Sequence, residues 1–236
     1  MNTENRKKKL VVLTGAGISK ESGIPTFRDA DGMWENYPVM EVCSADGFRR
    51  NPALIHEFYN ARRRQLMGCM PNAAHEAIVN LEKDYDVEVV TQNVDDLHER
   101  AGSHKVLHLH GELMKLRAIE DPDYVVDVDP GHPDSTPGSK APNGMHLRPH
   151  IVFFQEPVPN IEAAVQIVGE ADILVVIGTS LVVYPAAGLI HYARRGTPIY
   201  YIDPNPALES QGNLTVIKAT ATKGMEILEK LLAEKS

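Results

Sequence analysis

The sequence predicts an α/β fold: a Rossmann-like parallel sheet with helices on both faces, plus a small inserted lobe. Three observations predict it. Short apolar runs alternate with stretches of helical period along most of the 236 residues, which suits parallel strands covered on both faces. The first apolar run passes straight into a glycine-rich turn, Gly15-Ala16-Gly17. One span, 117–148, breaks the rhythm: it is rich in Pro, Gly and Asp and has no long helical period, as an insertion would.

Taken in order, residues 9–14 read as a short buried strand, and further strands are expected at 87–91, 105–109, 173–178, 198–202 and 214–217. Helical stretches lie between them at 52–67, 72–83, 94–101, 160–170, 186–195 and 224–233. Within the insertion only Tyr124-Val125-Val126 forms a strand nucleus. The expected organisation is one domain over 1–236. Its large Rossmann-like lobe takes 8–30, 72–114 and 150–236, and its small lobe takes 31–71 and 115–149. There is no internal repeat and no low-complexity tract.

Composition narrows the function. With 43% hydrophobic and 24% charged residues, the chain falls in the globular range. A net charge of −8 disfavours nonspecific nucleic-acid binding, which demands a basic surface, and no nucleic-acid partner is expected. No apolar run approaches a membrane span, and Leu10 to Leu13 is too short for the core of a signal peptide. Cys43 and Cys69 form no CxxC pair, so a reducing, cytoplasmic setting is the default and no membrane partner is expected.

The glycine turn suits backbone amides approaching a pyrophosphate, but GxG alone is weak, because many α/β turns need glycine for local reasons. Lys20 stands where a third glycine would complete the usual dinucleotide fingerprint, and 21–29 continues as a loop with no acidic residue closing a second strand. An ordinary dehydrogenase is therefore disfavoured.

Five blocks then occur in order: GAGISKESGIPTFRDADGMWENY from Gly15, TQNVDDLHERAG from Thr91, HLHGEL from His108, GTSLVVYPAAG from Gly178, and DPNP from Asp203. With these blocks the chain resembles the sirtuins, in particular bacterial members of the class that includes deacylases of acidic acyl groups. The resemblance runs from about Leu10 to Leu232 and fails only in the insertion. It implies NAD as the cofactor and acylated lysine side chains of proteins or peptides as the partner. The implied reaction removes acetyl, succinyl or malonyl groups and releases nicotinamide and O-acyl-ADP-ribose.

That chemistry needs a base near neutrality, a held ribose and a water-poor cleft. By resemblance, His110 is the base, and His108, two residues earlier, reads as structural. Gln92, Asn93 and Asp95 match ribose and nicotinamide contacts, with Asn93 and Asp95 as the catalytic companions of His110; on local grounds both could equally cap the helix that follows. Gly15, Ala16, Gly17, Ser19 and Ile24 belong to the cofactor turn and nicotinamide pocket. Phe27 is implied to shield the reacting ribose, and Arg28 to hold the cofactor. Gly178, Thr179, Ser180, Asp203, Asn205 and Ala221 take the adenosine side, although many sirtuins have Asn where Asp203 stands.

Tyr59 and Arg62 are three apart on an expected helix and so share a face. A phenol and a guanidinium suit a carboxylate-ended acyl chain, and this YxxR pair matches the subgroup that removes succinyl or malonyl groups. On spacing alone, the pair reads as a solvated Arg run with Tyr packed beneath. Val152, Phe153, Phe154 and Glu156 resemble the strand-like segment that pairs with substrate peptide, and Tyr184 joins them on the substrate side. Gln155 stands where the family usually has Gly.

Sirtuins usually hold a structural zinc through two CxxC-type pairs in the insertion. Here 115–148 contains no cysteine, so no metal is expected, and its scattered Asp and His match no metal-ligand spacing. Packing by Tyr124-Val125-Val126 and Val128 is expected to replace the zinc. Two other readings remain: an NAD or ADP-ribose sensor without turnover, and a protein ADP-ribosyltransferase.

Overall fold

A computed structural model describes residues 6–26, 33–34, 37–181 and 184–234. The chain forms β1 (Lys9–Thr14), a 3-10 turn (Lys20–Ser22), β2 (Met33–Trp34), β3 (Tyr37–Pro38), α1 (Val39–Val42), α2 (Ala45–Arg50), α3 (Pro52–Met67) and α4 (Ala73–Leu81). It continues through β4 (Asp86–Thr91), α5 (Leu97–Ala101), β5 (Val106–His108), β6 (Gly111–Ala118), β7 (Val125–Asp127), β8 (Leu147–Ile151) and α6 (Ile161–Gly169). The last elements are β9 (Ile173–Ile177), a 3-10 helix (Ala186–Tyr192), β10 (Ile199–Ile202), β11 (Leu214–Ile217) and α7 (Ala221–Ala233).

The main sheet runs β11-β10-β9-β1-β4-β5 with every pairing parallel. The chain lays down β1, β4 and β5 outward in one direction, then returns to place β9 on the other side of β1. Strand order reverses between β1 and β9, and the loops leaving their carboxyl ends part there into a crevice.

Alternation along the strands builds the two covered faces. Leu10 and Val12 point one way with Val87, Val89, Val175 and Ile177, against Ile78 of α4 and Met225, Leu228 and Leu232 of α7. Val11 and Leu13 point the other way with Val90, Leu174 and Val176, against Ala164 and Val168 of α6 and Leu189 of the 3-10 helix. Each of these buried aliphatic side chains contributes about 1.5–3 kcal/mol.

Three elements depart from the sequence expectation. The helix expected over 94–101 is confined to α5, because the Asp95 carboxylate takes the Leu97 amide and holds 94–96 in a bend. The stretch expected as a helix over 186–195 is a 3-10 helix ending at Tyr192. The last helix starts at Ala221, three residues early, because Glu21 caps it from a distance. Its carboxylate accepts from the Thr222 amide and from the hydroxyls of Thr220 and Thr222.

The insertion is more ordered than its composition suggests. β6, β7 and β8 form an antiparallel sheet in the order β7-β6-β8. The lobe borders expected at 114/115 and 149/150 therefore fall inside β6 and β8. Leu116, Tyr124, Val126 and Met145 pack around buried Ala118, Ala141 and Leu147. Val128 is buried as well, but Val125 points outward and is exposed, so only part of the expected apolar set does the packing.

A buried arginine ties this sheet to α3. Arg63 has no exposed surface. Its Nε donates to the Leu113 carbonyl at 2.9 Å, and its Nη1 donates to the Pro133 carbonyl at 2.9 Å and to Asn60 Oδ1 at 2.6 Å. Asn60 also exchanges hydrogen bonds with the Ser135 backbone, and His56 Nδ1 meets Ser135 Oγ at 2.8 Å. Burial lowers the Arg63 pKa to about 10, so it stays charged at neutral pH.

Candidate active site

Every strand of the parallel sheet delivers its carboxyl end to the same edge, and the expected cofactor blocks follow those ends. At the switch point two glycine turns interlock. The Gly17 amide donates to the Gly178 carbonyl at 2.8 Å, and the Gly15 amide donates to the Ile177 carbonyl at 3.0 Å. Two of the three amides in the Gly15-Ala16-Gly17 turn are thus committed within the fold. A Cβ on Gly17 would lie 2.5 Å from Gly178 Cα, and Gly178 itself has φ +63°. Close approach of two backbones dictates glycine here.

Beside this crevice lies a buried polar cluster. Ser19 Oγ donates to Asp95 Oδ2 at 2.9 Å, while Asn93 Nδ2 reaches Ser19 Oγ and the Gly15 carbonyl, each at 3.2 Å. Thr91 Oγ1 accepts from the Asn93 amide at 3.0 Å. Burial raises the Asp95 pKa, although the Ser19 hydroxyl and the Leu97 amide both favour its ionised form. Asp95 fixes the start of α5 and also faces Ser19, so its capping and site-facing placements coincide.

His110 stands just beyond β5. Its Nδ1 lies 3.0 Å from the Gln92 carbonyl, which can only accept, so Nδ1 carries the proton and Nε2 the lone pair. Burial lowers its pKa, opposed only by that carbonyl. The ring is neutral at neutral pH and able to accept a proton. The His110 carbonyl accepts from the Val152 amide at 2.9 Å, joining it to the segment after β8.

Gln92 links the two halves of the edge: its Nε2 donates to Thr179 Oγ1 at 3.1 Å. The Thr179 carbonyl accepts from the Tyr201 hydroxyl, and its Oγ1 accepts from the Leu181 amide near Ser180. Asp203 is buried, and its Oδ1 accepts from the Asn205 amide at 2.8 Å. Ala221 is buried at the first turn of α7. Ala16 and Ile24 are partly buried. Phe27 and Arg28 lie outside the described residues.

The substrate-side residues divide. Val152 is half-buried, while Phe154 and Tyr184 are exposed. Phe153 is buried and stacks on Tyr59 at 5.9 Å. The strand expected over 152–156 ends at Ile151 instead. Phe154 donates its amide to the Cys43 carbonyl and accepts from the Ala45 amide, so both of its backbone groups are used within the fold. Glu156 is likewise engaged: its carboxylate binds Arg117, Arg148 and the Phe153 amide. That placement gives the Glu156 carboxylate the part of an internal anchor.

Gln155 adopts φ +76°, a conformation L side chains rarely take. Its side-chain Oε1 accepts from the Asp46 amide at 3.1 Å and its Nε2 donates to Asp46 Oδ2 at 2.8 Å. The side chain grips α2 through these two bonds. Tyr59 is also turned inward, with its hydroxyl 3.6 Å from Cys43 Sγ, and the Arg62 guanidinium lies 5.4 Å from the Phe58 ring centre.

The residues of the insertion do not fit a thiolate zinc centre, since the chain's two cysteines are buried at Cys43 and Cys69, outside the insertion. Among the described residues, no group of three or more His, Cys, Asp or Glu is placed to hold a metal. Two polar partners escaped the sequence reading. Glu99 lies 2.8 Å from His108 Nε2, and Asn160 Nδ2 donates to the His108 carbonyl. The signal for the first was a carboxylate in the TQNVDDLHERAG block opposite a strand-end histidine.

The chain is similar to several known proteins. The model of the Sir2 family matches residues 15–185. An NAD-dependent protein deacylase of Bacteroides thetaiotaomicron is 52% identical over 229 residues, covering 95% of this chain and 98% of that protein. One from Helicobacter pylori is 49% identical over 96% of this chain and 98% of its own. Among solved structures, a Sir2 homolog–NAD complex has a TM-score of 0.84 at 37% identity, covering 97% of this chain and 91% of that one. A Sir2 bound to acetylated peptide has a TM-score of 0.79 at 28% identity, covering 96% and 94%.

Proposed function

The chain belongs to the Sir2 family and is an NAD-dependent protein deacylase; from that premise we propose how its residues divide the work and which acyl groups it takes. The observation that carries the proposal is the 3.0 Å contact of His110 Nδ1 with the carbonyl of Gln92, the chain neighbour of Asn93 in the Ser19–Asn93–Asp95 cluster. That contact leaves Nε2 of the neutral ring as the acceptor.

NAD suits this edge by its chemistry. The site combines an amide, a carboxylate and a hydroxyl at a switch-point crevice, groups able to hold ribose hydroxyls and a carboxamide. When bound, NAD supplies the bond to nicotinamide whose cleavage drives acyl transfer. His110 Nε2 receives the proton of a ribose hydroxyl. Asn93 and Asp95 would hold the nicotinamide-ribose end together with Ser19, Gln92, Ala16 and Ile24, and Phe27 and Arg28, outside the described residues, are assigned to that end by the family resemblance alone. Gly178, Thr179, Ser180, Asp203, Asn205 and Ala221 take the adenosine end. Val152, Phe154 and Tyr184 meet the peptide that carries the acylated lysine.

Acetyl-lysine is one substrate, and acidic acyl groups are a second. The stacking of Tyr59 on Phe153 supports the latter reading, because it sets Tyr59 of α3 against the peptide segment. Binding a succinyl or malonyl carboxylate then requires the Tyr59 hydroxyl to leave Cys43. A cytoplasmic setting agrees with the two unpaired, buried cysteines. No helix among the described residues is long and apolar enough to cross a membrane.

Mass spectrometry of acetyl- and succinyl-lysine peptides incubated with NAD tests the proposal. Loss of the acyl group with stoichiometric release of nicotinamide is expected. NAD binding without peptide turnover would favour a sensor, and ADP-ribose attached to protein would favour transfer.

A further inference from the structure

His108 is the least explained titratable group at the sheet edge. It is buried, with 7% of its surface exposed. Its Nδ1 lies 2.9 Å from the Asn93 carbonyl and its Nε2 lies 2.8 Å from Glu99 Oε1. A carbonyl oxygen only accepts, and an ionised carboxylate only accepts. Two acceptors at bonding distance from both ring nitrogens are satisfied together only by a ring that donates twice.

We propose that His108 is an imidazolium at neutral pH and acts as the positioning residue for the nicotinamide-ribose contacts, holding Asn93 by its carbonyl. This inference rests on the reading of Asn93 and Asp95 as those contacts. The charge is placed where it is useful. The Asn93 side chain reaches Ser19, and Ser19 donates to Asp95, so one fixed carbonyl sets the registry of the whole cluster. Asn160 braces the ring's own backbone from the loop before α6.

The groups that act on His108 come from several elements. Glu99 of α5 binds it directly, Glu112 of β6 adds a second negative charge, and Asp95 lies in the bend before α5. His98 of α5 also acts nearby, and burial keeps it neutral. Burial alone would discharge His108, but the Glu99 bond and charge, aided by the Asn93 carbonyl and Glu112, outweigh it and raise the pKa. His110, two residues on, is shifted the opposite way. Two histidines of one block thus hold different protonation states, one as a fixed donor and one as a base.

The experiment combines nitrogen NMR of histidine-labelled enzyme with NAD kinetics for wild type, His108→Gln and Glu99→Gln. At neutral pH the expected spectrum contains a signal from a histidine protonated on both nitrogens that is lost in His108→Gln and titrates at lower pH in Glu99→Gln. His108→Gln should raise KM for NAD by about tenfold, the scale of one charge-assisted hydrogen bond, with KM for peptide unchanged. The fall of kcat/KM for NAD at high pH should move to lower pH in Glu99→Gln. A neutral His108 in active wild-type enzyme overturns the inference and leaves the deacylase function standing. A doubly protonated His108 with KM for NAD unchanged in both variants also overturns its positioning role. A doubly protonated His108 in an enzyme that removes no acyl group would instead defeat the functional reading.

Discussion

The amide of Gly17 donates to the carbonyl of Gly178 at 2.8 Å, and neither residue has room for a Cβ. A methyl on Gly178 would sit 2.5 Å from Ile18 N, on backbone already at positive φ. Gly17→Ala or Gly178→Ala should therefore push the β1 and β9 turns apart, costing about 1–3 kcal/mol or more of stability and abolishing calorimetric NAD binding. Gly23 also has positive φ but has nothing within 4 Å of its added Cβ. Gly23→Ala is the control, expected to keep NAD affinity with a loss of about 1 kcal/mol. Equal behaviour of the three variants would contradict this account of the crevice.

The small lobe should depend on Arg63. Arg63→Met strands the Leu113 and Pro133 carbonyls that the guanidinium now satisfies. The loss should be at least about 3 kcal/mol, or roughly 6–12 °C in Tm for a chain this long. Limited proteolysis should then cut first within 115–149. Unchanged Tm and cleavage elsewhere would show that apolar packing alone holds the lobe.

Acid should unfold the protein through its buried histidines. Burial lowers His56 and His75 to about 4 and lowers His98 as well. Unfolded histidine titrates near 6.5, so between about 4 and 6.5 the unfolded state binds more protons. The stabilisation is complete above about 6.5 and is lost as pH falls toward 4, each ring giving up about 1.4 kcal/mol for every pH unit crossed in that window. His108 has the opposite sign: its contribution is full at low pH and fades as pH rises through its raised pKa. Urea midpoints measured from pH 8 to 4 should fall steeply below about 6.5, and less steeply in His75→Gln. A flat profile would contradict the neutral assignments.

Acyl selectivity should respond to α3. Tyr59→Phe and Arg62→Met should lower desuccinylation by about ten- to a hundredfold, the scale of charge-assisted hydrogen bonds to a carboxylate. Deacetylation should change far less. Parallel kcat/KM values on acetyl- and succinyl-lysine peptides check this, and equal losses on both would remove the acidic-acyl reading.

Much of the large lobe was legible in the sequence because its central strands, β1 and β9, are apolar runs buried on both faces. β1 and β11 match the expected limits, and each end of the other four strands of the main sheet falls within one residue of its expected limit. The small sheet was not legible. β6 and β8 carry Lys115, Arg117, Arg148 and His150 among their apolar residues, and Pro149 sits inside β8, so neither run shows a clean period. The ordered blocks place their residues at the carboxyl ends of the parallel strands, but the partners that fix those residues could not be read from the blocks. Glu21 capping α7 and Gln155 on Asp46 join residues far apart in the chain, and Glu99 and His108 sit in two separate blocks whose pairing only the fold makes visible. Glu156 shows a related limit: its motif position gives no sign of the two arginines from β6 and β8 that claim its carboxylate.

Neutral His110 as the base of an NAD-dependent deacylation is the centre of this mechanism. It is tested most directly by the rate of acetyl-peptide turnover for wild type and His110→Asn, with NAD affinity measured on both. Loss of general-base catalysis predicts a rate about 10²–10⁴-fold lower in the variant, with NAD affinity nearly unchanged. Turnover within about tenfold of wild type, well short of a general base's contribution, would contradict the mechanism.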